Sequence, residues 1–193
     1  MTLAASDTAN LFLSLAALAG VLILQSVIRA RDPWAPLNRR FLLGLRVMAM
    51  LFAGRALLIL TGLDFFRFFI LLGATLIPVS VLLLAEGLLR RHATRWVKVW
   101  VMCGTIVFSI QSFWWSDSID PPRLIGLLTF QLSGFFIGAW MVLSREKSSL
   151  TVAENQTAER LSLSLFLLVP LAASDFLMVY LDFPAQTSPL GVL

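Results

Sequence analysis

The chain has 193 residues, of which 59% are apolar and 13% charged, with a mean hydropathy of +0.87. A soluble domain carries about 25% charge, so this composition excludes one and reads as an integral membrane protein. The net charge of +4 comes from cations that flank apolar runs, which excludes a nucleic-acid partner and points to anionic lipid headgroups at the cytoplasmic face.

Crossing about 30 Å of hydrocarbon takes roughly 20 helical residues. Six runs meet that length: 11–28, 41–62, 65–89, 96–115, 124–143 and 161–181. They are rich in Leu, Phe, Ala and Val without strict alternation, so helices fit them better than barrel strands. The expected fold is all-α, a polytopic transmembrane helical bundle forming one domain.

The first run follows Asp7 and no cation, which predicts a first span with its N-terminus outside rather than a cleaved leader. The connection RARDPWAPLNRR predicts a basic loop broken by Pro33 and Pro36. Spans 2 and 3 meet in a tight turn, where Gly62 suits a helix end and Asp64 an N-cap. RRHATR joins spans 3 and 4, SDSIDPPR joins 4 and 5, and SREKSSLTVAENQTAER joins 5 and 6. Four cations (Arg29, Arg31, Arg39, Arg40) follow span 1, four (Arg90, Arg91, Arg95, Lys98) follow span 3, and Arg145, Lys147 and Arg160 follow span 5. The remaining gaps hold Arg67 and Arg123 alone. Basic loops resist translocation, so the loops after spans 1, 3 and 5 are expected inside. Trp34, Trp96, Trp100 and Trp140 fall at the inner boundaries so defined, and Trp114 and Trp115 at an outer one, as interfacial Trp should. Ser188-Pro189 ahead of Leu-Gly-Val-Leu reads as a further helix start, which would make these the first six of seven spans.

Charges inside spans are costly, so each needs a partner or a purpose. Arg46 and Glu86 both fall near the inner ends of spans 2 and 3 and are expected to pair in the inner leaflet. Arg55 on span 2 and Asp175 on span 6 both lie about 10 Å below the outer boundary. Gln111 and Gln131 reach a similar or slightly shallower level, and Ser109, Ser112, Thr129 and Ser174 lie nearby. This outer polar layer has two readings: hydrogen-bonded packing between helices, or a polar pocket open to the outer face. Pro78 and Pro170 should kink spans 3 and 6. Gly134 and Gly138 form a GxxxG with Gly126 on the same face, which suits close helix packing within the bundle, or a homo-oligomer or larger membrane complex.

Absences narrow the chemistry. The only histidine, His92, lies in a loop, and the two lysines, Lys98 and Lys147, lie near the inner side, so neither haem ligation nor a buried Schiff base is available. With one cysteine, Cys103, and no His/Asp/Glu cluster at ligand spacing, neither a metal site nor a cofactor is expected. No catalytic residue is nominated, and the segment is not expected to be an enzyme.

The segment LNRRFLLGLRVMAMLFAGRALL, followed by LLLAEGLLRRHATRWVKVW, resembles the multi-spanning N-terminal regions of bacterial membrane sensors and uncharacterised polytopic proteins. The resemblance implies a sensory or signal-input domain ahead of a cytoplasmic output module beyond residue 193, and it assigns no role to a single residue. A small transporter or a structural subunit of a membrane complex is the alternative.

Overall fold

The structure is a computed structural model that describes residues 5–32, 34–113, 121–144 and scattered positions between 151 and 167. Among the described residues the regular elements are five α-helices: α1 (Ala5–Arg31), α2 (Pro36–Thr61), α3 (Phe65–Leu89), α4 (Arg95–Ser112) and α5 (Pro121–Leu143). Four stretches are long and apolar enough to cross a membrane: Thr8–Arg31, Pro36–Thr61, Phe65–Leu89 and Pro122–Leu143. These coincide with the first, second, third and fifth expected spans. The fourth, 96–115, is helical through Ser112, but it is not among the membrane-capable helices, with Arg95 and Lys98 in its first turn and Gln111 and Ser112 in its last. Trp114 and Trp115, Asp175, Pro170 and most of the sixth expected span lie outside the described residues.

The first connection is shorter than the sequence predicts. Only residues 32–35 separate α1 from α2, because Pro36 occupies the first turn of α2, where a missing N–H costs nothing. Asp32 organises the turn. Its Oδ1 accepts the N–H groups of Trp34 (3.0 Å) and Ala35 (3.2 Å), and its carbonyl accepts Asn38 Nδ2 at 2.7 Å. Gly62 ends α2 in the left-handed region (φ 66°), and its N–H donates to Leu58 O at 2.8 Å. Asp64 does not cap α3 as expected. It sits in the αR region with no capping bond, and its Oδ1 pairs with Arg67 Nε at 3.1 Å, one turn along the surface.

Helix α3 is central. It packs on α2, α4 and α5, whereas α1 packs on α2 and its apolar window is only 11% buried. Glycines set the closest approach. Gly44 faces Ser80, Leu51 faces Gly73, and Gly54 faces Phe69 and Ile70, which fixes the antiparallel register of α2 and α3. A Cβ at Gly73 would lie 3.1 Å from that of Leu51, so a side chain there would push the helices apart. In lipid such close packing, rather than water exclusion, holds helices together. Helices α3 and α5 run parallel: Leu71 and Ala74 cluster with Leu124, Leu127 and Phe130, while Ala85 and Leu88 cluster with Val142 and Ala158. Phe108 of α4 stacks on Phe130 with ring centroids 5.3 Å apart.

The short connections bring the C-termini of α1 and α3 and the N-termini of α2 and α4 to one end. That basic end carries Arg29, Arg31, Arg39, Arg40, Arg90, Arg91, Arg95 and Lys98. Trp34, Trp96, Trp100 and Trp140 are exposed.

Candidate functional site

Two polar nodes lie along α3. The first surrounds Pro78. Proline has no N–H, so the carbonyl of Ala74, four residues earlier, loses its helical partner. Gln131 of α5 restores it: Nε2 donates to Ala74 O at 3.0 Å, and the Gln131 side chain is buried. The next carbonyl, Thr75 O, accepts Thr105 Oγ1 of α4 at 3.3 Å. Thr75 Oγ1 in turn donates to Leu72 O at 2.8 Å, which leaves Ser109 Oγ, 3.1 Å away, to donate to it. Three helices therefore meet at the carbonyls around one proline. Gly134 makes the approach possible, since a Cβ there would lie 2.6 Å from Pro78 Cβ.

The expected outer layer is accordingly split. Gln131 and Gln111 lie level with the Ala74 region, as the α3–α4 pairs Thr75–Ser109 and Glu86–Lys98 place Gln111 opposite Gly73. Arg55 is buried on α2 but, by the α2–α3 register, faces the Phe69 level, about 7 Å nearer the Gly62 end. The two glutamines are thus deeper than Arg55, where the sequence reading had them at its level or shallower. Asp175, the fourth member, lies outside the described residues. Gln111 Oε1 is buried and has no hydrogen-bond partner among the described residues; Gln25 Nε2 on α1 is in the same position. Ser112 Oγ returns to Phe108 O (2.8 Å) and Thr129 Oγ1 to Ile125 O (2.8 Å) within their own helices.

The second node is Glu86, buried at the basic end. Its Oε1 accepts the N–H of Ala93 at 2.7 Å and Lys98 Nζ at 2.9 Å, and His92 Nδ1 lies 3.6 Å from Oε2. One carboxylate thus ties the end of α3 to the turn and to the first turn of α4. The structure does not bring Arg46 to Glu86. On the α2–α3 register Arg46 lies level with Pro78, eight residues or about 12 Å from Glu86, and its side chain is exposed. The reason is that α2 begins at Pro36, not Phe41, so Arg46 is deeper in its helix than a count from Phe41 implies. It is Arg40 that reaches this level, donating Nη1 to Leu83 O at 3.3 Å and lying against Gly87.

The three nominated glycines of α5 have different neighbours. Gly134 receives Pro78 of α3, Gly126 faces the ring of Phe108 on α4, and Gly138 is buried. Sequence reasoning missed Gly54 and Gly73, which set the α2–α3 contact, and Thr105. Their signal lies between helices and not within one.

Among the described residues no three His, Cys, Asp or Glu side chains converge, so the chemistry of both nodes is hydrogen bonding and ion pairing. Comparison with protein-family models, curated proteins and solved structures finds no match to the chain.

Proposed function

We propose that this chain is a membrane-embedded sensory or signal-input domain, working through helix packing and not through catalysis. The observation that carries this reading is the Pro78 node: a backbone carbonyl freed by proline is held by one side chain from a neighbouring helix, Gln131. Such a bond can be exchanged for another at small net cost, because membrane interhelical hydrogen bonds average about 0.6 kcal/mol. A buried acceptor without a partner, Gln111 Oε1, sits at the same level and gives the node an unused bond to make. A signal must favour one packing over another to count as sensed. Here the two packings would differ in which acceptor, Ala74 O or Gln111 Oε1, takes the Gln131 Nε2 donor. The carrier reading needs the same polar groups free to meet substrate, and Gln131, Thr105 and Ser109 are already engaged between helices.

In this reading the chain is multi-pass in a bacterial inner membrane, with six spans, a seventh after Ser188, and the basic end facing the cytoplasm. The resemblance to bacterial sensor regions supports an output module following it.

The test is a distance measurement in the full chain. With Cys103 replaced by Ser, spin labels at the exposed positions Phe65 and Ile125 report on α3 against α5. Two distance populations are expected, with a ratio that moves as bilayer thickness or composition is changed, and Pro78→Ala should merge them. A single distance in every bilayer would end the sensory reading.

A further inference from the structure

The cations of the basic end are not equivalent. Arg40 is committed to Leu83 O and Lys98 to Glu86. Arg39 and Arg46 of α2 are both exposed, and among the described residues neither side chain has a hydrogen bond or ion pair. Arg39, Leu43 and Arg46 follow one another at four and three residues, so they form one exposed stripe, continued by Leu57 and Leu60. Arg46 interrupts this stripe about 10 Å further into the helix than Arg39. An ionised group facing hydrocarbon is costly, and no described residue relieves it there.

The direction of the side chain supplies the relief. Helical side chains tilt toward the helix N-terminus, which for α2 is the basic end. The Arg46 stem can therefore lie over Leu43 and bring its guanidinium toward Arg39. Two guanidinium forks then face one gap at headgroup depth, with Leu57 and Leu60 further along the same stripe for an acyl chain. A guanidinium fork matches a phosphate oxygen pair, which ammonium does not. We propose that the Arg39–Leu43–Arg46 stripe of α2 is a binding site for an anionic phospholipid, its phosphate held between the two arginines. The proposal rests on α2 lying in a bilayer, which resistance of the full chain to alkaline extraction from membranes tests separately.

The experiment is lipid titration of the purified full chain, with bound lipids counted by native mass spectrometry. Phosphatidylglycerol should bind in preference to phosphatidylcholine. Arg46→Gln and Arg39→Gln should each weaken phosphatidylglycerol binding about tenfold, with phosphatidylcholine unchanged. Arg46→Lys should fall between, and Arg95→Gln, on another helix at the same end, should stay within about twofold. The ratio of the two lipids is read within each variant, and the Arg39 side chain is exposed, so poor folding of one variant does not mimic the result. Unchanged preference in both glutamine variants overturns the site. So does full displacement of the lipid by millimolar inorganic phosphate, which would make it a free-anion site. A mass shift from dimer to monomer on Arg46→Gln would reassign the stripe to a second copy of the chain and overturn it equally.

Discussion

The Glu86 and Pro78 nodes sit on the same helix and solve different problems with different chemistry. At the basic end, an ionised carboxylate is tolerated because Lys98 and the turn N–H surround it and exposed His92 and half-exposed Lys98 keep contact with polar surroundings. At Pro78, deep in α3, the groups on offer are neutral: an amide, three hydroxyls and two carbonyls. Depth selects the chemistry, because a neutral hydrogen bond survives removal from water where a charge would need full compensation. The Glu86 node therefore anchors a turn, while the Pro78 node joins three helices through bonds weak enough to exchange.

Substitutions can break or sharpen this contrast. The largest effect is expected at Gly134→Leu, which drives a side chain into Pro78 and should cost about 3 kcal/mol, read by reversible unfolding in mixed micelles. Glu86→Ala should follow at about 2 kcal/mol, since it strands the Ala93 N–H and Lys98. Lys98→Ala should cost well under half of that, because Lys98 is 40% exposed. Should Lys98→Ala match Glu86→Ala, the carboxylate is not the organiser of its node. Gln131→Ala should cost about 1 kcal/mol in the native background but close to nothing in Pro78→Ala, where Ala74 O regains its own helical donor. Equal costs in the two backgrounds would show that Gln131 does not serve the kink. Gly62→Ala stands apart from both nodes: the left-handed φ alone should cost about 1 kcal/mol, additive with every change at either node.

Helices α2, α3 and α5 were legible as apolar runs because length and hydropathy suffice for a helix in lipid. The start of α2 was not, since basic residues report depth and say little about conformation: Leu37-Asn38-Arg39-Arg40 is helical although it is polar. That error of five residues misplaced Arg46 against Glu86. Pro78, Gln131 and Gly134 were each visible in the sequence for separate reasons, as a kink, a polar-layer member and a packing glycine. Their union was not visible, because it depends on the parallel register of α3 and α5, which no local pattern encodes. The same holds for Lys98 and Glu86, which meet only across the turn between α3 and α4.

The fit of Pro78 into Gly134 has a mechanical consequence. Gly138 follows one turn later on α5, and Phe130 precedes by one turn. Because α3 and α5 run parallel, an axial slip of about 5.4 Å in one direction offers the proline ring a second notch at Gly138. The opposite slip meets Phe130, already wedged against Gly104. A slip toward Gly138 would also carry Gln131 away from Ala74 and put Phe135 in its place. The contact is thus asymmetric along the helix axis, with a phenylalanine one turn to one side of Gly134 and a glycine one turn to the other.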